Sequence, residues 1–365
     1  MPSLAIVRQP AARAIVTSDG VVDVRTVTAG ELAPGHVLVR VALATVCGCA
    51  RRAAAHASRR GTPVVLGHEG VGVVEAVGRG GEATDGSGGP VYPGLRIAWG
   101  RVAACGQCAV CASGARSACL ARVDVGSARW SEASPLGGAF AERVVLPPEL
   151  PLEPVPRTLP DAVVAPANCA IATAVAACER AGDLRGKRVV VLGAGMRGIA
   201  ALVAVGESGA KSVSVVDPHQ DRRERALAWG ADVVHADATG LPACDIVIDL
   251  SETGESVGAA IDAVAPGGTV VVVGSVCHVE LGLDLALLSD RALSLVGVAG
   301  PEPRHLGAAL ALLASNHALR PWEDLVGEPV ALGHGARQLG LDDARLRRVA
   351  IAPGLTEPEE PVQRP

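Results

Sequence analysis

"KRVVVLGAGMRG", Lys187 to Gly198, carries an apolar run into three glycines, Gly193, Gly195 and Gly198. The run reads as a buried strand, and the helix pattern "MRGIAALVAVGESGA" begins at Met196;. Strand, tight turn and helix in that order give each glycine its own task. The first permits the sharp turn, the second lets a pyrophosphate approach the backbone, and the third lets the helix pack close. Met196 and Arg197 open the helix, whose free N–H groups and partial positive charge suit phosphates;. Asp217 ends the next strand, "SVSVVD", 19 residues after Gly198, where a ribose hydroxyl needs an acceptor;. A carboxylate there favours NAD(H) and disfavours NADP(H), whose 2′-phosphate it repels; Arg222 and Arg223 soften that preference;. The plainer reading of Asp217 is a strand-end turn before Pro218.

Downstream, "DRRERALAWGA", "CDIVIDL", "ESVGAAIDAVA" and "GTVVVVGS" alternate helix with strand, which predicts βαβ units and a doubly wound parallel sheet;. Upstream, Val-rich runs such as "HVLVRVALATV", "GVGVVEAVG", "LRIAWGRVA" and "AFAERVVLP" are punctuated by glycine and proline, the texture of an irregular all-β region;. At 365 residues the chain exceeds one core, so two domains are expected;. The boundaries fall at 1–165, 166–300 and a return at 301–354, with the polar, Pro-rich 355–365 given no structure;.

Hydrophobic residues make up 49% and aromatic residues 2%, so the core is aliphatic. A net charge of −5 gives no basis for a nucleic-acid partner;. Neither a membrane-length apolar run nor a signal peptide is legible, which points to a cytoplasmic protein with a small-molecule substrate;. There, clustered cysteines bind metal or do chemistry more often than they form disulfides. "CGQCAVCASGARSAC" sets Cys105, Cys108, Cys111 and Cys119 within one loop, a spacing that folds around a single tetrahedral zinc;. Four thiolates leave no open coordination position, so this lobe, about residues 100–122, is structural;.

"LGHEGVGVVEAVG" pairs His68 with Glu69, with Cys47 upstream in "TVCGC" and Cys169 downstream in "PANCAIAT". Together with "PG-x-R-I", "GGAFAERV", the four-cysteine lobe and the glycine-rich turn, these motifs resemble the zinc-containing alcohol dehydrogenases of the medium-chain dehydrogenase/reductase superfamily. "PANCAIATAVAA" and "VAGPEPRHLGAAL" look most like a branch associated with phosphonate metabolism. The resemblance implies an α/β chain with a GroES-like catalytic domain and a Rossmann domain. It also implies a catalytic zinc on Cys47, His68 and Cys169 with an open fourth position;. It further implies Thr173 on the cofactor side, Glu69 beside the metal, and a homodimer or homotetramer. As plainer readings, His68 is a structural histidine and Cys169 a small buried helix residue.

Relatives usually continue C-G-[ST]-D after the first ligand, whereas this chain reads Cys47-Gly48-Cys49-Ala50. A thiol replaces the relay hydroxyl, and the aspartate that usually orients the histidine is lost;. The relay then falls to Cys49 or to His56, or the enzyme has left ordinary alcohol oxidation for a redox-neutral reaction or for cofactor binding alone. Arg51, Arg52, Arg59 and Arg60 offer bidentate recognition of an anionic substrate, with a solvated face as the plainer reading;.

Overall fold

The computed structural model describes residues 10–18, 21–28, 30–57, 63–127, 136–251, 253–273, 282–339 and 347–357. The chain forms two compact units: Met1–Ala112 with Cys119–Pro166 and Pro321–Pro365, and Ser113–Ala118 with Ala167–Arg320.

The first unit is β-rich. Its long strand Val37–Thr45 pairs antiparallel with Glu69–Val77 on one side and with Arg348–Ile351 on the other. Beyond those partners lie Arg96–Trp99, Leu152–Pro154 and Val326–Val330, with Arg143–Leu146 also paired to Val37–Thr45. The hairpin Ala12–Ser18/Val21–Val27, absent from the sequence reading, adds a second sheet. Its inward residues Ala12, Ala14 and Val16 pack with Leu136, Ala141 and Val145.

The second unit holds one parallel sheet. Its strands are β1 (Arg188–Leu192), β2 (Ser212–Val216), β3 (Val233–His235), β4 (Cys244–Asp249), β5 (Val264–Val273) and β6 (Ser294–Val298). They lie in the order β3-β2-β1-β4-β5-β6. This is the doubly wound dinucleotide-binding order, in which every strand runs parallel and the strand order reverses between β1 and β4;. β1 is buried nearly throughout, which accounts for the unbroken Val189–Leu192 run;. The helix Met196–Glu207 follows β1 directly, and a Cβ at Gly198 would lie 1.7 Å from the Gly193 carbonyl oxygen. Only glycine fits there.

Two expectations are corrected. The return to the first unit occurs at Pro321, where 301 was expected. The reason is the helix Pro303–Asn316, whose Leu306, Leu310 and Leu313 are buried and whose start is tied to the helix Ala172–Ala181. His305 Nδ1 accepts the Glu302 N–H at 2.8 Å, so Nε2 carries the proton and donates to Glu179 at 2.9 Å. Arg304 pairs with the same carboxylate, and these two donors, Arg304 first, bring the Glu179 pKa down to about 2. Glu302 also accepts from Ser117 N and Oγ, which places the loop between Cys111 and Cys119 in this unit. The tail is not wholly without structure either: the Glu357 carboxylate accepts from Gly333 N, and 358–365 lie outside the described residues.

The stretch Asp161–Ala181 is helical and apolar enough in length and composition to cross a membrane, yet 83% of its most apolar window is buried inside the protein.

β1 is also tied to β4 by Arg188, which donates to both carboxylate oxygens of Asp245 and lowers its pKa to about 2. A folded-state pKa below the unfolded one contributes stability above pH 3.8 that fades as pH falls towards 2;. Asp245→Asn should therefore flatten the acid limb of stability between about pH 4 and 2 relative to wild type. Denaturant midpoints across that range measure it, and parallel acid limbs would remove the pair from the account.

Candidate active site and metal centres

The four-cysteine loop is tightly drawn. Sulfur–sulfur distances are 3.5 Å for Cys108–Cys111 and Cys105–Cys119, 3.9 Å for Cys108–Cys119 and 4.0 Å for Cys105–Cys111. A tetrahedral zinc with Zn–S of about 2.3 Å requires sulfurs about 3.8 Å apart, so the donor set fits the ion. Burial pushes the Cys111 thiol up, while its backbone N–H brings Cys108 down. Such opposed pressures within one cluster are relieved by a dication. The described cysteines are all free, so no disulfide competes.

A second group lies in the first unit, where Cys47, Cys49 and His68 present ligand atoms within 4.8 Å of one another. Cys47 precedes the helix Gly48–Ala57, and its sulfur accepts the Ala50 N–H at 3.3 Å, where the helix N-terminus favours thiolate;. Cys47 Sγ and His68 Nε2 are 3.2 Å apart. His68 follows Gly67, which takes φ +94° and at which a Cβ would sit 2.4 Å from the Phe140 ring, so both conformation and space require glycine;. Burial, chiefly, and then the charge of Arg101 lower the His68 pKa to about 4, so the imidazole is neutral with a lone pair to give;. Trp99 Nε1 donates to the His68 carbonyl at 3.2 Å.

Glu69 is fully buried beside this group and engaged on both oxygens. Thr45 Oγ1 donates to Oε2 at 2.6 Å, and Arg348 pairs with Oε1. The charge that would be ruinous alone is neutralised, and the carboxylate is fixed in place. Cys49 faces two guanidinium groups, Arg52 Nη2 at 3.5 Å and Arg101 Nη1 at 4.0 Å. Arg51 donates to the Gln338 carbonyl, so it serves the helix Leu332–Leu339 rather than an anion. His56 falls on the helix Gly48–Ala57, but its side chain, like Arg59 and Arg60, lies outside the described residues. Sequence reading passed over Arg101, Arg348 and Thr45; Thr45 and Arg101 sit beside quoted motifs and Arg348 far from them, and none carries a spacing that marks its role.

In the second unit Cys169 is buried at the centre of the π-helical turn Ala167–Ile171, three residues past the end of the first unit. Thr173 is buried in the next turn. The glycine-rich turn has the features a dinucleotide requires. Gly193 takes φ +94°, and a Cβ at Gly195 would meet nothing within 4 Å, leaving the backbone face open. Met196, Arg197 and Gly198 begin the helix above it. Asp217 is buried, accepting from Ala194 N at 2.8 Å and His219 N at 2.9 Å, with Arg222 Nη1 3.6 Å away. It is both the strand-end turn residue and a clamp on the glycine-rich turn, and its oxygens keep lone pairs for a ribose hydroxyl. Arg223 is turned to the carbonyls of Asp217 and Pro218.

The chain matches the Alcohol dehydrogenase GroES-like domain over residues 33–157 and the Zinc-binding dehydrogenase domain over 198–315. It is 28% identical to the 5-exo-hydroxycamphor dehydrogenase of Pseudomonas putida, covering 91% of this chain and 96% of that one. It is 30% identical to the L-threonine 3-dehydrogenase of Streptomyces avermitilis, covering 78% and 82%. Among solved structures, the alcohol dehydrogenase TADH of Thermus sp. ATN1 superposes with a TM-score of 0.79 at 28% identity, over 93% of this chain and 99% of that one. With both halves matched and the cysteine and histidine groups assembled as described, this chain belongs to the zinc-containing alcohol dehydrogenases of the medium-chain dehydrogenase/reductase superfamily, a family of oxidoreductases.

Proposed function

We propose that the protein is a zinc-dependent, NAD(H)-linked oxidoreductase interconverting a small polar alcohol with its aldehyde or ketone. The observation that carries this reading is the convergence of Cys47 and His68 at 3.2 Å. In it Cys47, His68 and Cys169 hold the catalytic zinc, and Cys105, Cys108, Cys111 and Cys119 hold the structural one;. Once bound, the zinc supplies Lewis acidity to the substrate oxygen and the nicotinamide supplies or takes the hydride.

The residues of the chain set the conditions for that chemistry. Gly193, Gly195 and Gly198 bring the backbone within reach of the pyrophosphate, and the helix N-terminus at Met196 and Arg197 supplies N–H donors;. Asp217 presents a carboxylate to the ribose and disfavours a 2′-phosphate;. Glu69, pinned by Thr45 and Arg348, holds a fixed negative charge next to His68. Arg51 and Arg52, which would recognise an anion, are turned to Gln338 and Cys49, so the reading carries no anionic requirement for the substrate. A second reading, favoured by Cys49 and Ala50 in place of the usual hydroxyl and aspartate, keeps metal and cofactor but returns the hydride within one turnover. A homo-oligomeric assembly in the cytoplasm belongs to the same proposal; β6 ends the sheet as an edge strand with Leu295 half exposed.

The purified protein should contain about two zinc ions per chain, falling to about one in Cys47→Ser and in Cys111→Ser. Wild type should consume NADH with an aldehyde panel, and Cys47→Ser should not. Metal analysis and absorbance of reduced nicotinamide check both halves, and one zinc in wild type would overturn the catalytic centre. Asp217→Asn should raise the KM for NADH roughly tenfold and narrow the preference over NADPH. Paired titrations with the two cofactors test it, and an unchanged ratio would release Asp217 from that role.

A further inference from the structure

We propose that Cys49 is itself a ligand of the ion held by Cys47, His68 and Cys169. The resting centre is then closed by a third sulfur and keeps no position for water or substrate. The inference rests on the reading above and concerns how that same centre is filled. Three observations carry it.

The first is reach. The Cys49 sulfur lies within 4.8 Å of both the Cys47 sulfur and the His68 nitrogen, so the three donor atoms gather about one point;. The second is origin. Cys47 and Cys49 flank Gly48 at the start of one helix, so the turn that presents one sulfur also presents the other, and no loop has to move. The third is charge. Arg52, one helical turn on, and Arg101, from the segment after Arg96–Trp99, both direct guanidinium groups at the Cys49 sulfur. Three thiolates around a dication leave a net charge of −1, and these two arginines face it.

Closure is an exchange of ligands. With the ion bound, the Cys49 thiol would give its proton to solvent and its sulfur would take the place of a water. Substrate then enters only as Cys49 departs, and Arg52 and Arg101 are placed to receive the freed thiolate.

The test replaces zinc with Co(II) in the full-length protein and reads the visible spectrum of wild type, Cys49→Ser and Cys49→Ala. The spectrum of Cys47→Ser, which retains only the four-cysteine lobe, is subtracted from each. Thiolate-to-cobalt charge-transfer intensity of the remaining centre should drop by about one third in both Cys49 variants, with about two cobalt ions per chain retained. Added imidazole should shift the ligand-field bands of the variants and leave wild type unmoved. Equal charge-transfer intensity in wild type and both variants, with imidazole shifting all three alike, would overturn Cys49 as a ligand while leaving the three-ligand centre intact. Wild type taking up one cobalt, no more than Cys47→Ser, would instead defeat the centre itself. Two different replacements at position 49 guard against misfolding in either one.

Discussion

The left-handed backbone at Gly67 is the constraint on which the meeting of Cys47 and His68 depends. Any side chain at that residue would run into the Phe140 ring, and Phe140 is itself immovable, fully buried and bonded through its N–H to the Leu66 carbonyl. Gly126 and Gly138 close the same knot: a Cβ on the first would lie 2.1 Å from the Gly67 oxygen, and on the second 2.2 Å from the Val65 oxygen. Three glycines from distant parts of the chain thus let three backbones approach where larger residues would hold them apart. His68 emerges from that knot already aimed at Cys47. The glycines in "LGHEG" and "GGAF" therefore explain one another.

The second layer is electrostatic. Glu69 enters the core next to a histidine and is made tolerable by Arg348, a residue 279 positions away on the strand that pairs with Val37–Thr45. That pairing gives a physical reason for the chain to return to its first unit after building the second: the buried carboxylate needs its partner. On the other side of the centre, Arg52 and Arg101 face Cys49. The group of ligands is thus bordered by a neutralised acid and by two cations.

Much of this was legible in the chain. The Val189–Leu192 run and its glycines were readable as a strand, a turn and a helix because Gly193 takes a left-handed φ, Gly195 leaves the backbone face open and Gly198 abuts the Gly193 carbonyl. The cysteine spacing announced the lobe because four sulfurs so close in sequence cannot avoid one another in space. What was not legible depends on long-range pairing. Arg101 and Arg348 carry no local pattern, and their roles come from the register of strands that meet far along the chain. The return point was set at 301, just before a helix. The helix after it instead stays with the second unit through Glu302, Arg304 and His305, contacts that no periodicity reveals. Cys49 was read by position as one relay candidate beside His56, and the two guanidinium groups that face its sulfur carry no signal in the sequence.

The most direct measurement is anomalous scattering at the zinc edge from crystals of the intact protein. The account predicts two peaks in each chain, one among Cys105, Cys108, Cys111 and Cys119 and one touching Cys47 and His68. A single peak at the four-cysteine lobe, with the Cys47 and His68 side chains bonded only to protein, would contradict it.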